Sequence, residues 1–216
     1  MTKILNIILV LSSISCFSQN TIKLTFENRA TISPEQIAEM PKIVQEKAIK
    51  QIQETVMIST LKVEDVTTFY TAKADSQEKK ELGTIATKIV DGKKVTYNDL
   101  STSIESSEIK FLKNSSKNTY TEMIDGKLIT KNLQKTQWKR GTKTKKILGF
   151  ICKEAVGTYN KKIVTVYYTT DLNAKASPDL LPFIDGVILE YKTSSRYGIA
   201  TKLEKNQPDV KDFFKK

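Results

Sequence analysis

The chain contains no histidine. That absence removes Ser-His-Asp and Cys-His nucleophilic sites and leaves no imidazole to act as a general base near neutral pH. Cysteine is scarce as well, and two residues cannot supply the four ligands of a usual structural zinc site. With 8 glycines and 5 prolines among 216 residues, the sequence is not of low complexity, and it holds no Gly-rich phosphate-cradling loop. Long apolar runs are missing too. The longest lies at the amino terminus, where Ile4 to Leu11, broken by Asn6, is too short to cross a bilayer as a helix. Against these absences, 39% hydrophobic and 27% charged residues suffice for one ordinary globular core.

The amino-terminal run reads as a targeting segment. Lys3 gives it a charged start, and the small residues Ser12, Ser13 and Ser15 follow the apolar stretch. Cleavage after Ser18 would leave Gln19 as the first mature residue, which predicts an exported protein, periplasmic or secreted, with no transmembrane segment in the mature chain. The less favoured alternative is lipid anchoring through Cys16, because Ser13 stands where a lipobox carries an apolar residue. Loss of Cys16 leaves Cys152 as a single thiol, either a reactive group or a buried small hydrophobe. Its apolar surroundings, Ile147 to Ile151, favour the second.

The formal charge of +11 is concentrated. Residues 127–170 hold 11 Lys and Arg against one acid, Glu154, whereas the rest of the mature chain carries 23 of each sign. Lys139, Arg140, Lys143, Lys145 and Lys146 form its centre and are candidates for binding an anionic lipid surface, an envelope protein or an acidic partner. The plainer reading is that these lysines keep β-edges soluble. Nucleic acid is not expected, since Lys outnumbers Arg ten to one in the segment and no recognition motif is present.

Periodicity predicts a mainly β, α+β fold. Thr21 to Phe26 alternate as a strand. Ser33 then suits an N-cap, with Pro34 and Gln36 behind it, and Ile37, Met40, Val44, Ala48 and Ile52 recur at helical spacing, interrupted by Pro41. From Val56 onward the period is two. Strands are predicted at 56–61, 66–71, 84–90, 93–97, 120–124, 127–133, 145–153, 163–169, 187–192 and 197–203. Asp91-Gly92 and Asp125-Gly126 are hairpin signals. Short connections imply an antiparallel meander, a curled sheet or half-barrel of about ten strands, with the single N-terminal amphipathic helix covering its concave side or one end. The domain plan is a signal at 1–18, one β-rich domain at 19–206 and a tail at 207–216.

Several motifs in the second half share an order. Trp138 is followed by Ile147-x-Gly149-Phe150-x-Cys152-x-x-Ala155, then by Val166-Tyr167-Tyr168-Thr169, then by Phe183-Ile184-Asp185-Gly186-Val187-Ile188-Leu189-Glu190. This series resembles the GLPGLI family, also described as a Porph_ging-type exported domain, over roughly residues 118–205, with Phe183 and Asp185 departing from the naming motif. The resemblance implies export and a β-rich fold, and no activity, cofactor or catalytic residue.

Read from the residues, Gly149 suggests a strand bulge and Gly186 a turn with positive φ. Trp138, Phe150, Tyr167, Tyr168 and Phe183 are candidates for lining one hydrophobic pocket for a lipid or other apolar ligand. Asp171, Asp179 and Asp185 lie close in sequence around a loop, but nothing marks two of them as a buried catalytic pair and no EF-hand spacing is present, so neither a carboxylate hydrolase nor a calcium site is expected. The function expected from sequence is a non-enzymatic exported binding protein, with docking through segment 127–170 as the alternative. An enzymatic route is left open only through carboxylates, Tyr, Lys or the Cys152 thiol.

Overall fold

The computed structural model describes residues 21–31, 37–42, 45–46, 49–50, 54–74, 86–90, 93–97, 108–208, 210 and 213–214. The thirteen strands are β1 (Ile22–Ala30), β2 (Val56–Glu64), β3 (Thr67–Ala74), β4 (Ala86–Val90), β5 (Lys93–Tyr97), β6 (Ile109–Asn114), β7 (Thr119–Ile124), β8 (Lys127–Asn132), β9 (Lys139–Ile147), β10 (Phe150–Tyr159), β11 (Lys162–Thr169), β12 (Val187–Lys192) and β13 (Arg196–Lys205). Eleven form one antiparallel sheet in the order β8-β7-β6-β3-β2-β1-β13-β12-β11-β10-β9, and β4 pairs with β5 separately. The alternation read from sequence has its cause in burial. Ile22, Leu24, Phe26 and Asn28 of β1 are buried while Lys23, Thr25 and Glu27 between them are not.

The sheet folds over on itself without closing into a barrel. Flat, eleven strands at about 4.8 Å spacing would hold β8 and β9 some ~48 Å apart. Residues 133–138 join these two edge strands, and a chain of that length reaches only about 25 Å. One hydrophobic core results, shared by β1–β3, β6 and β10–β13. In it Tyr70, Phe111 and Tyr120 pack ring against ring, with centroids 6.1 and 5.9 Å apart. The Tyr191 hydroxyl donates to Asn28 Oδ1 at 2.7 Å, and Asn28 Nδ2 donates to Ser59 Oγ at 2.9 Å, so the polar atoms of this layer satisfy one another.

What fills the inside of the fold is the long connection from β11 to β12. Ala176 to Pro178 and Leu181 to Ile184 are buried. Such a segment must satisfy its own backbone. Ala176 donates to Gly186 O, Ile188 to Ala176 O and Leu181 to Pro178 O. The sequence reading gave the covering role to the helix. The described helical residues, 37–38, 42, 45–46, 49–50 and 54, are exposed or half-buried. Pro41 does interrupt the helix, and Gln45 N donates to Pro41 O where it resumes. Ser33, Val44, Ala48, Ile52, the Asp91-Gly92 turn and the expected signal at 1–18 lie outside the described residues.

Two further expectations are corrected. The run 145–153 is not one strand, because Leu148 and Gly149 both have positive φ (50° and 89°) and form the two-residue turn between β9 and β10. Gly149 is therefore a turn residue and not a bulge. Gly186 does adopt positive φ, at 144°, and a Cβ there would meet Thr169 O at 2.5 Å. The carboxyl-terminal segment is tied down. Thr21 Oγ1 donates to Gln207 O, Val210 N donates to Glu64 Oε1, and the Phe213 ring lies 5.2 Å from Phe69.

Phe26, fully buried in the central strand pair, sets the scale of the core. Phe26→Ala is expected to lower unfolding stability by about 3–5 kcal/mol, and urea denaturation checks it.

Candidate functional site

At one end of the folded sheet the β2–β3 turn, the β6–β7 turn and the 133–138 linker converge on the β11–β12 connection. They enclose two adjoining depressions of about 260 and 680 Å³, both bordered by Ser115 and Lys175. Each wall is held by its own sequence. Asn118 adopts positive φ and donates through Nδ2 to Leu133 O at 2.7 Å, while Leu133 N donates back to Asn118 O. Gln134 Nε2 donates to Thr158 O, and Thr158 N donates to Thr136 Oγ1 at 2.9 Å. The linker is thus laced to the end of β10. Ser115 N donates to Val66 O, which joins the two turns. The smaller depression is lined mainly by polar residues, with Pro182 and Phe183 as its apolar part, and the larger is mixed, with Val66 and Ala174 among its polar neighbours.

Beneath this groove lies a group that the sequence reading missed. Lys113 of β6 is fully buried. Its Nζ donates to Ser177 O, to Ser177 Oγ at 2.9 Å and to Asp179 O at 2.6 Å, and it sits 5.2 Å from the Phe183 ring centroid. All three protons of the ammonium have acceptors on the β11–β12 connection. Asp179 is held in turn by Arg196 Nη1 at 2.8 Å. Burial pulls the Lys113 pKa down to about 7, with the Asp179 carboxylate opposing it. An inward Phe111-x-Lys113 pair on a half-buried strand was the available signal.

The five aromatic candidates divide. The structure brings Trp138 and Phe183 together, with Trp138 Nε1 donating to Phe183 O at 2.8 Å. Gly157 makes room for the indole, since a Cβ there would meet Trp138 Cε3 at 2.8 Å. Tyr168 is buried in the core, and Phe150 packs against the core just after the β9–β10 turn. Tyr167 points to the opposite sheet face from its neighbour Tyr168. There its hydroxyl donates to Glu154 Oε1 at 3.3 Å, and Lys145 Nζ stands 5.4 Å from its ring.

The five basic candidates, Lys139, Arg140, Lys143, Lys145 and Lys146, all lie on β9, an edge strand whose residues 139–146 are exposed. Two are engaged. Lys145 Nζ donates to both oxygens of the buried Glu190, at 2.7 and 2.5 Å, a bond that raises the lysine pKa. Lys143 lies 3.9 Å from Glu154.

Cys152 is a free, fully buried thiol, and burial pushes its pKa up to about 11. That environment disfavours the thiolate needed for nucleophilic work. The three loop acids do not converge on one site. Asp179 faces Arg196, and Asp185 bonds Lys175 at 2.9 Å, which lowers the Asp185 pKa. No helix among the described residues is long and apolar enough to cross a membrane.

A folded-over antiparallel sheet plugged by one long connection, with a groove at its turn end, defines a β-rich domain. The chain belongs to the family described as N-glycanase peptide, N-terminal domain, that of PNGase F-II, whose model matches residues 62–215. Two solved structures of PNGF-II share the fold. In a P21 crystal form the likeness has a TM-score of 0.52 at 18% identity and covers 91% of this chain. In a C2 form the figures are 0.50, 20% and 89%. The chain spans only 30% and 29% of those longer chains. No curated protein matches it. This family assignment overturns the GLPGLI resemblance. The residues that carried that resemblance do general structural work: Gly149 and Gly186 make turns, and Tyr168, Ile188 and Leu189 are buried.

Two outcomes follow. With no histidine in the chain and Lys113 charged in the unfolded state well above pH 8, the unfolded chain holds a proton that the folded chain begins to release near pH 7. Stability therefore rises with pH, by about 1 kcal/mol between roughly pH 6 and 8. Chemical denaturation across that range is expected to show the slope in the natural chain and a flat profile in Lys113→Met. Gly157→Ala should displace Trp138, the sole tryptophan, and shift its fluorescence emission to the red.

Proposed function

We propose that this chain is an exported, non-catalytic recognition module that binds a glycan-bearing polypeptide in the groove at its turn end. The observation that carries this reading is the groove's lining. Ser115, Gln134, Lys135, Thr136 and Lys175 present hydroxyl, amide and ammonium groups around an open depression, with Phe183 as a small apolar surface beside them. Polyhydroxylated ligands are recognised by such hydrogen-bonding groups together with an aromatic or apolar contact. The family name refers to an N-glycanase, which makes an N-linked glycan on a peptide the ligand class to try first. The relation covers under a third of the PNGF-II chain, and a module of that share fits an accessory binding role.

The apolar-ligand version of the sequence reading loses its place here. The inner face that would hold a lipid is occupied by the β11–β12 connection. A non-catalytic role is supported by the chemistry of the described residues. The thiol is buried, and two of the three loop carboxylates, Asp179 and Asp185, are tied to separate cations. Export rests on the pattern of Lys3, Ile4–Leu11 and the serines that follow.

Titration of the protein with an N-glycopeptide, and with the same peptide lacking its glycan, tests the proposal by NMR. Only the glycopeptide should shift the Ser115, Gln134 and Lys175 amides. Lys175→Ala, at a half-exposed position, should weaken binding by roughly fivefold, near 1 kcal/mol. Equal response to both peptides, or shifts confined to other surfaces, would sink the reading.

A further inference from the structure

Among the described residues β9 is bonded on one side only, to β10, with a register irregularity between Arg140 and Thr144, so its other side carries the unpaired N–H and C=O groups of a sheet edge. Its nine residues include five cations and no acid. Glu190 and Glu154 occupy Lys145 and Lys143. No ion pair forms to Lys139, Arg140 or Lys146 among the described residues. The register separates these three by face. Lys139 is opposite Val156 and Arg140 opposite Ala155, while Lys146 is opposite Ile151. Alternation then places Arg140 and Lys146 on one side of the sheet and Lys139 on the other, with Lys145.

We propose that β9 is the docking edge for an extended acidic segment of a partner protein, which adds as a further strand beside it. Backbone groups of the edge would supply the ladder, and carboxylates at adjacent positions of the partner, which point to opposite faces, would meet cations on both. Charge complementarity selects this occupant. A second copy of the chain pairing edge to edge would set five cations against five and is repelled. A bilayer is planar and can meet the cations of one face only, whereas a strand lying in the plane of the sheet reaches both. The predominance of lysine suits separate carboxylates, which a point charge meets without the bidentate geometry that arginine supplies. This docking uses none of the groove residues and stands apart from the glycopeptide reading.

The test uses the full chain and a fluorescent peptide of about eight residues in which pairs of adjacent Glu are separated by Thr, so that carboxylates lie on both faces of the strand. Binding by anisotropy should weaken at least about tenfold between roughly 20 and 200 mM salt. Amide hydrogen exchange in β9 should slow on binding. The same peptide N-methylated at alternate residues should bind at least about tenfold more weakly, because its backbone cannot complete the ladder. Lys139→Glu, Arg140→Glu and Lys146→Glu combined should abolish binding, with circular dichroism reporting the fold. Single alanine substitutions, each expected to weaken binding severalfold, serve if the triple variant does not fold. Undiminished binding by the N-methylated peptide, unchanged β9 exchange, binding insensitive to the substitutions, or binding to phosphatidylglycerol vesicles without binding to the peptide would each overturn the proposal.

Discussion

The buried ammonium of Lys113 is the constraint on which the rest of the molecule depends. A sheet of this width has two apolar half-faces to cover, and the fold covers them by turning over and inserting the β11–β12 connection between them. A connection is a poor filler, because each of its peptide groups needs a partner away from water. Within the segment Asn173 donates to Thr170 O, Ala176 to Gly186 O, Leu181 to Pro178 O and Gly186 to Ile184 O. Ser177 O and Asp179 O are supplied from outside, by Lys113. A buried charge ordinarily costs several kcal/mol. Here three acceptors, the Phe183 ring and the nearby Asp179 carboxylate offset part of that cost, the remainder appearing as the lowered Lys113 pKa, and Arg196 of β13 fixes the carboxylate. Strands from both halves of the sheet are thereby tied to one loop, so the position of the loop and the closure of the sheet are one event.

Closure also determines where recognition surfaces can exist. Because the inner face is filled, binding is left to the rim and the edges. The 133–138 linker belongs to both. Its first half lines the groove through Gln134 and Thr136, its last residue anchors Phe183 through the indole of Trp138, and the next residue begins the basic edge strand. Motion of the linker would therefore alter groove and edge together.

The sequence was informative where burial alternates cleanly and silent where a polar residue takes an inward place. β1 and much of β11 follow period two, and Asp125-Gly126 forms the expected hairpin with both residues at positive φ. β6 escaped notice because its inward positions are Phe111 and Lys113, and a lysine reads as a solvent residue until its three acceptors are known. The run Ile147 to Cys152 is apolar throughout, which hides a turn at Leu148-Gly149 that only the backbone angles reveal. The connection 170–186 looked like a surface loop with three acids because its burial is created by distant strands. Tyr167 and Tyr168 were grouped by adjacency, although adjacent strand residues face opposite ways. The family resemblance failed for a related reason: turn glycines and buried aromatics at hairpin spacing recur wherever antiparallel strands pack.

The concentration of positive charge has a topological origin. β8 and β9 are consecutive in the chain and are the two edges of the sheet, so a single stretch of sequence supplies both borders. Edges are where lysine is tolerated, because its stem lies on the sheet while its ammonium stays in water, and where it prevents pairing between copies. One or two charges per edge suffice for that purpose, and β8 has two, Lys127 and Lys131, the second already bonded to Glu122. β9 has five. Glu190, buried on β12, accounts for Lys145: the pair holds the edge strand onto the sheet and leaves that lysine little freedom to meet a partner. What edge protection and internal pairing do not explain is Lys139, Arg140 and Lys146 together, distributed over both faces of a strand with an open backbone. That surplus, and not the net charge of the chain, is the feature with consequences for recognition.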